Sequence, residues 1–420
     1  MNKHEQYIAI LKEELVPAFG CTEPIAVAFA CALAKKLLKS EPEKVNVYCS
    51  GNIVKNVKGV VVPNSGNLKG LKTAAVMGIV AGDSDKQLEV INQVSEEQLE
   101  KVNELLATDY CKVDLLPGDS NLHILAEVKN GENNVLVEIM HTHTNVVKIT
   151  ENGKVTFEKK TNEKNFNEAL IDRTCLTIKD IIEFANNGDL NDIKATLEKQ
   201  IELNMAISAE GIKNDYGSRV GQLLIENADL ESKIIASAAA GSDARMSGCS
   251  LPVVTNSGSG NQGMTCSIPV IVYAREKGLS HERLLQGLIV SNLITIHLKT
   301  GIGRLSAFCG AVSAAAGSSA GITYLAGGNE KQVGDAIVNT LGTIAGMVCD
   351  GAKPSCANKI ASAVQCALLS HKLAMRGIVF EAATGIIQSD IEKTIEAVGK
   401  LGREGMKETD EVILDIMLNS

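Results

Sequence analysis

The 420-residue sequence lacks the marks of several common protein classes. Its lysine and arginine residues form no basic cluster and the formal net charge is -9, so nucleic acid is not an expected partner. It has no basic start followed by an apolar run and a small-residue cleavage site, so we expect a cytoplasmic protein with reduced thiols. It also has no low-complexity segment and no repeat of fixed period.

A membrane span is not expected either, although residues 305–328 carry no charge over the length of one. This stretch consists mainly of alanine, glycine and serine. Tryptophan is absent from the chain and aromatic residues make up only 3%, so no aromatic belt flanks the stretch. We therefore predict a buried helix whose small residues let neighbouring helices approach closely.

The chain length favours two domains, and the sequence pattern changes character near residue 160. We predict the fold class α+β, with an N-terminal α+β domain (1–160) followed by a mostly α-helical domain (161–420). The charged stretch 161–165 marks the boundary. The predicted strands are 44–49, 53–62, 112–116, 123–129, 134–141, 146–151 and 155–159, with hairpin turns at Asn130-Gly131 and Asn152-Gly153. The predicted helices are 3–16, one ending at Leu38, 96–108, 165–186, 193–213, 220–240, 263–277, 281–299, 306–326, 331–348, 356–375 and 389–400.

Three of the 11 cysteines stand out by their surroundings. Cys309 lies in the uncharged stretch, and Cys349 and Cys356 are separated by residues typical of a turn. Three thiolates from two places on the chain can hold an iron–sulfur cube by three corners and leave the fourth iron open. The six-residue gap matches neither common zinc nor ferredoxin spacings, so spacing alone leaves a structural role open.

Cys21 precedes a predicted helix whose start is marked by Thr22, Glu23 and Pro24. Because a helix N-terminus lowers the pKa of a thiol, Cys21 is a candidate thiolate base, or a displaceable fourth ligand. The free amides there, with Thr22 and Glu23, can bind a substrate carboxylate. The alternative is a helix cap with a buried neighbour.

Two histidines and two cations are further candidates. His141 and His143 alternate on a predicted strand, so they share a face and can serve as base or substrate clamp, or simply lie on the surface. Lys353 can pair with a substrate carboxylate or tune a cluster, or be an exposed turn residue. Arg304 is another carboxylate candidate.

Two polar loops complete the candidate site. Residues 255–263 combine small polar residues and glycines before a helix, and Asn256, Ser257 and Asn261 are the expected substrate contacts. Asn64 and Ser65 lie in a second such loop. Neither loop has the Gly-x-x-x-x-Gly-Lys-Ser spacing of a phosphate loop.

Four segments, 20–24, 255–263, the Cys309 helix and 349–356, resemble the L-cysteine desulfidase family, a serine dehydratase-like family of uncharacterised proteins. The resemblance spans most of the chain. It extends, more distantly, to the iron–sulfur L-serine dehydratases, whose last two cysteines are further apart and which have a C-terminal cysteine ligand that this sequence lacks.

The resemblance implies a 4Fe-4S cluster held by Cys309, Cys349 and Cys356, and α,β-elimination of L-cysteine to pyruvate, ammonia and hydrogen sulfide. It makes 161–420 the iron–sulfur catalytic domain and 1–160 a contributor of substrate-site residues. L-serine dehydration, a pyridoxal phosphate enzyme using Lys353, and a non-enzymatic iron or zinc protein are the alternatives. No phosphate cup or pyridinium partner supports pyridoxal phosphate. A homodimer is compatible with the apolar, glycine-rich helices.

Overall fold

The computed structural model describes residues 2–118, 120–161, 167, 170–227 and 229–419. These residues form a mixed α+β structure, which confirms the predicted fold class. The α-helices are α1 (Lys3–Glu14), α2 (Thr22–Leu38), α3 (Gly51–Lys58), α4 (Leu71–Ala81), α5 (Glu96–Leu106), α6 (Ile178–Asn187), α7 (Asn191–Lys213), α8 (Val220–Ile225), α9 (Leu230–Met246), α10 (Gly260–Glu276), α11 (His281–Ile302), α12 (Gly310–Leu325), α13 (Glu330–Ile344), α14 (Cys356–Met375), α15 (Ile391–Lys400) and α16 (Lys407–Leu418). A 3-10 helix covers Ser84–Glu89, and a π-helical turn covers Leu401–Gly405.

The strands form one six-stranded and one two-stranded sheet. They are β1 (Pro17–Phe19), β2 (Lys44–Cys49), β3 (Cys111–Leu115), β4 (His123–Asn130), β5 (Asn133–Met140), β6 (Val146–Glu151), β7 (Lys154–Glu158) and β8 (Pro252–Val254). The large sheet has the order β3-β2-β4-β5-β6-β7, in which only β2 and β3 are parallel. Both predicted hairpins are present, and Asn152 and Gly153 have the positive φ values that a tight hairpin turn requires.

The small sheet positions the site. Strand β1 pairs antiparallel with β8, so the segment after Phe19 lies next to the segment after Val254. These two segments are the 20–24 and 255–263 motifs, which are more than 230 residues apart in sequence. The three-residue pairing of β1 with β8 therefore places the N-terminus of α2 next to the polar loop 255–263.

Two hydrophobic cores hold the elements together. One core lies between α2, α4 and the six-stranded sheet, and the other is built from the helices after residue 175. Helix α1 packs into the second core through Tyr7, Ile10 and Leu11, although it belongs to the first 160 residues. The uncharged stretch forms α12, which is buried in the helical core as predicted. Within the described ranges, no helix combines the length and apolar character needed to span a membrane.

Some predicted elements are wrong. The strand predicted at 53–62 is the helix α3, because short apolar runs fit both periods and the buried Ile53 and Val57 are one helical turn apart. Helices α4 and α16 were not predicted. The helix predicted from Asn165 begins only at Ile178; residues 162–166 and 168–169, which include the predicted domain boundary, lie outside the described residues.

Helix α16 is linked to the site by a half-buried carboxylate. Asp410 forms an ion pair with Lys55 of α3, whose side chain is 1% exposed, and accepts a hydrogen bond from the Ala307 amide at 2.7 Å. Lys55 also donates to the Cys349 carbonyl at 3.3 Å. The C-terminal helix thus contacts the backbone segment of Cys309 directly and is linked to that of Cys349 through Lys55.

Replacing Asp410 by alanine is expected to lower the free energy of unfolding by about 3–5 kcal/mol, because Lys55 would stay buried without its partner. Urea denaturation followed by circular dichroism measures this. Asp415→Ala removes an exposed carboxylate from the same helix and should change stability by no more than about 0.5 kcal/mol. Equal effects of the two substitutions would contradict the role given to Asp410.

Candidate functional site

Cys309, Cys349 and Cys356 line one cavity of about 100 Å³. An antiparallel bridge between Phe308 and Val348 holds the first two segments side by side. The Cys309 amide donates to the Met347 carbonyl at 3.1 Å, and the Cys349 amide donates to the Ala307 carbonyl at 2.6 Å. Cys356 is the first residue of α14. The two distant sequence motifs are therefore joined by backbone pairing next to the thiols.

Four helices begin at this cavity. Cys21 is the N-cap residue of α2, Ser259 that of α10 and Cys309 that of α12, while Cys356 opens α14. All four residues line the cavity. Helix N-termini carry partial positive charge and unpaired amides, so their convergence favours an anionic occupant.

The donor set fits an iron–sulfur cluster. Cys309 is buried, and burial together with the neighbouring Cys349 raises its pKa to about 12; burial also raises the pKa of Cys356. Thiols bind metal as thiolates, and the raised pKa values disfavour that form. Three thiolates in this cavity therefore need the positive charge of bound iron. In the part of the chain that the structure describes, no three Cys, His, Asp or Glu side chains are arranged for a single metal ion. A four-iron cube is larger than an ion, so its ligands stand further apart.

Cys21 lies in the cavity but is not the thiolate that its helix position predicted. Burial raises its pKa well above the usual value, and its Sγ donates to Oε2 of Glu23 at 2.9 Å. The helix N-terminus therefore does not overcome the cost of burying a charge beside a carboxylate. Cys21 is a hydrogen-bond donor in this arrangement.

Glu23 is the ionised group of this corner of the cavity. It is 6% exposed, and it accepts hydrogen bonds from Thr22 Oγ1 at 3.2 Å and Asn56 Nδ2 at 3.1 Å. Burial opposes its ionisation, but the Cys21 thiol, which donates to it, and the charge of Arg245 lower the pKa of Glu23. Thr22 also donates to the Gly258 carbonyl at 2.8 Å, which joins the two motifs brought together by the small sheet.

The two histidines do not lie on a strand, contrary to the prediction. Strand β5 ends at Met140, and both histidines occupy the buried turn that follows, where His141 has φ 68°. His141 Nε2 contacts Thr161 Oγ1 at 3.0 Å, and its side chain lines a separate cavity of about 480 Å³. The surface alternative for these residues is therefore wrong, and the two side chains lie in different environments.

His143 is the histidine close to the cysteine cavity. Its Nε2 is buried with no hydrogen-bond partner among the described residues, and burial lowers its pKa to about 4. It packs beside Gly258, where an added Cβ would lie 3.0 Å from the His143 Cε1 atom. His143 is therefore a neutral imidazole next to the Glu23 carboxylate.

The predicted polar loop residues divide into two groups. Asn261 lines the cysteine cavity, and its Oδ1 accepts from Arg245 Nη1 at 3.1 Å. Asn256 does not reach it, because Nδ2 donates to Asn292 and Oδ1 accepts from Ser257 Oγ at 2.9 Å. Ser257 lines a small adjoining cavity.

The second predicted loop has a structural part. Asn64 Nδ2 donates to the Ile91 carbonyl at 2.9 Å, and Ser65 Oγ donates to the Val62 carbonyl at 2.7 Å. Neither side chain lines a cavity described above. These hydrogen bonds stabilise the loop that leads into α4.

The two predicted cations are already engaged. Arg304 lines the cavity, but its Nη1 and Nη2 atoms donate to the buried Glu14 carboxylate at 2.8 and 2.9 Å. Lys353 pairs with Asp350 at 2.6 Å and donates to the Asp350 carbonyl, within its own turn. Neither is placed as a free partner for a substrate carboxylate.

Several polar residues that line the cavity were missed in the sequence, among them Asn56, Arg245, Gln262, Lys299 and Lys359. Lys299, near the end of α11, is 5% exposed, and burial lowers its pKa to about 8. Each lies in a helix with the sequence pattern of an ordinary packed helix. Only Gln262 has a local signal, because it lies in the predicted polar loop 255–263. Long-range packing, not a local motif, assembles this set.

Comparisons with known proteins identify the family of this chain. Residues 85–415 match the family model described as serine dehydratase alpha chain. UPF0597 proteins from Lachnoclostridium phytofermentans and Treponema denticola are 50% and 48% identical to this chain, each over 99% of it and over 100% and 98% of their own lengths. A UPF0597 protein from Fusobacterium nucleatum is 49% identical over 99% of both chains.

The family model places the chain in the class of serine dehydratase alpha chains. This class indicates a lyase-type enzyme. Within that class the chain belongs to the serine dehydratase-like UPF0597 family. The serine dehydratase alpha family is commonly associated with iron–sulfur clusters.

Proposed function

We propose that this protein is an iron–sulfur-dependent L-cysteine desulfidase, which converts L-cysteine to pyruvate, ammonia and hydrogen sulfide. The observation that carries the proposal is the cavity shared by the thiols of Cys309, Cys349 and Cys356 at converging helix N-termini. Membership of a serine dehydratase-like family supports the reaction type, because both reactions remove a β-substituent from a small amino acid.

A 4Fe-4S cluster held by these three cysteines supplies, when bound, a Lewis acid for the substrate carboxylate or the leaving sulfur. We assign the removal of the Cα proton to Nε2 of His143, which is neutral and has no hydrogen-bond partner among the described residues, and whose ring lies beside Gly258 of the cavity wall. As the Cα–H electron pair forms the Cα=Cβ bond, the Cβ–S bond breaks and sulfide leaves. The 2-aminoacrylate that results tautomerises to an imine, and water converts this to pyruvate and ammonium.

Glu23 stabilises the imidazolium that His143 becomes after it takes the proton, because its negative charge favours the protonated form of that ring. Cys21, as a hydrogen-bond donor to Glu23, holds this carboxylate in place. The former candidate base thus acts as a positioning residue in this proposal.

L-serine dehydratase is the second candidate, and the description of the matched family favours it. The same groups can remove hydroxide from L-serine and give pyruvate and ammonia. A thiolate leaving group is softer than hydroxide and suits iron at least as well, so we place L-cysteine first. A homodimer, a cytoplasmic location and the absence of nucleic-acid and membrane partners stay predictions.

Anaerobic reconstitution with iron and sulfide, followed by parallel assays of pyruvate release from L-cysteine and L-serine, tests the proposal. We expect a brown protein whose kcat/KM is larger for L-cysteine. A larger value for L-serine would establish the second candidate. A coloured protein that releases no pyruvate from either would point to the third alternative, a non-enzymatic metal protein.

Gly310→Ala is expected to lower kcat/KM by about 10- to 100-fold, because small misplacements in a site are costly. An added Cβ at Gly310 would lie 2.6 Å from Cδ of Gln262 and would displace this side chain from the cavity. Steady-state kinetics with L-cysteine measure the effect. Gly385→Ala, where no atom lies within 4 Å, is the matched control and should leave the kinetics unchanged. Equal kinetics for both variants would contradict this role of Gly310.

A further inference from the structure

Three side chains that line the cysteine cavity each keep a buried polar atom without a partner among the described residues. These atoms are Arg245 Nε, Gln262 Oε1 and Asn56 Oδ1. The three side chains are 2%, 5% and 7% exposed. A buried polar group without a partner destabilises the folded protein. Three such atoms around one cavity therefore indicate a ligand that supplies their partners.

Arg245 is the cavity's available guanidinium. Arg304 is held by the two oxygens of Glu14, and Lys359 is paired with Asp350. Arg245 has no ion pair among the described residues, and its one side-chain hydrogen bond, to Asn261, is to a neutral amide. A guanidinium binds a carboxylate through two parallel hydrogen bonds, which a lysine cannot do.

The amide oxygens of Gln262 and Asn56, which have no partner among the described residues, can accept hydrogen bonds from a positively charged group. The Asn56 amide is oriented by its Nδ2, which donates to Glu23, and this leaves Oδ1 as the free end. The Gln262 side chain is seated on Gly310, with no room for a Cβ between them. The ionised Glu23 lines the same cavity and favours a positive group beside these oxygens.

A glycine also makes room for Arg245. A Cβ at Gly260 would lie 2.3 Å from its Nε atom, so the guanidinium lies directly on the first residue of α10. Gly260 and Gly310 thus let the donor and one acceptor reach the cavity at two of the helix N-termini. The donor and the acceptors are part of one built polar site.

We propose that Arg245 binds the α-carboxylate of a free amino acid, while the carbonyl oxygens of Gln262 and Asn56 accept hydrogen bonds from its α-ammonium group. These three residues then set the substrate class, since an amine without a carboxylate or an acid without an ammonium group leaves one half of the site unpaired. This inference rests on the proposed function and adds the residues that recognise the substrate backbone.

The test compares an unreactive ligand with two analogues that each lack one group, by isothermal titration of the anaerobically reconstituted protein. L-Alanine carries both groups, L-alaninamide lacks the carboxylate and L-lactate lacks the ammonium. The wild-type protein is expected to prefer L-alanine to either analogue by about tenfold or more. Absence of L-alanine binding to the wild-type protein would overturn the proposal.

The variants assign each preference to its residue. Arg245→Gln is expected to reduce the preference for L-alanine over L-alaninamide to about onefold and to keep the preference over L-lactate. Gln262→Met is expected to do the reverse. Arg245→Lys keeps the positive charge but not the two parallel donors of the guanidinium, so the preference for L-alanine over L-alaninamide should be intermediate. This variant serves as the test if Arg245→Gln does not fold. Arg275→Gln, an exposed change on α10, should alter neither preference.

Two outcomes separate this inference from the proposed reaction. If the preferences follow the predicted residues but no pyruvate forms from L-cysteine or L-serine, the amino-acid site stands and the elimination does not. If pyruvate forms and Arg245→Gln keeps the full preference over L-alaninamide, the assignment of the carboxylate to Arg245 is wrong and the reaction stands.

Discussion

Replacement of Cys309, Cys349 or Cys356 by alanine is expected to abolish both the absorbance of the reconstituted protein and pyruvate release. Each thiol lines the shared cavity, and two thiolates cannot hold a cube that needs three of its corners bound. Visible absorbance, iron content and the lyase assay are measured on the same anaerobic samples, so loss of the metal and loss of activity are read together.

Cys366→Ala is the control for these three variants. Cys366 lies ten residues after Cys356 on the same helix and does not line the cavity. Colour, iron content and activity should match the wild-type protein. A variant of Cys309, Cys349 or Cys356 that keeps full colour would remove that residue from the ligand set. Loss of all signals in Cys366→Ala would mean that α14 responds to any change.

His143→Gln is expected to lower kcat by about 10²–10⁴-fold while the cluster absorbance stays unchanged. The substitution removes the proposed base, Nε2 of His143, which is buried and has no hydrogen-bond partner among the described residues. His143 is not among the proposed cluster ligands. His141→Gln is the comparison within the same turn. Because His141 contacts Thr161 and lines the other cavity, its effect should be less than tenfold. The opposite order of effects would move the base assignment to His141.

The pH profile of kcat/KM distinguishes His143 from Lys299, the buried lysine that lines the cavity. A base must be unprotonated, and a group with a pKa of about 4 is unprotonated at every pH above that value. With His143 as the base, the rate should therefore stay level from about pH 8 down to about pH 5. Lys299, with a pKa of about 8, would instead give a rate that rises through that pH, and such a rise would contradict the assignment to His143.

The sequence carried enough information to predict the strands of the six-stranded sheet. Strands β4 and β5 alternate in burial, and Asn-Gly turns join β4 to β5 and β6 to β7, so local rules were sufficient there. The same rules failed at α3, where a helical and a strand period fit one short run. The fold class could thus be predicted, whereas the identity of a short element beside the site could not.

Much of the candidate site could not be predicted, because its surroundings come from distant packing. Arg245, Gln262 and Asn56 are single polar residues in three helices, and nothing local marks them as cavity residues. The pKa of Cys21 was misjudged for a related reason. Its helix position is local, but its burial beside Glu23 depends on contacts made by the rest of the chain.

The assembly of the cavity from both ends of the chain has a consequence for biosynthesis. Its wall runs from Cys21 to Ile360. A nascent chain that does not yet reach Ile360 lacks part of this wall, so the three thiols come together only late in synthesis. Under the proposed function, iron delivery would follow synthesis of this region, and a product truncated before it would carry thiols that oxidants can reach.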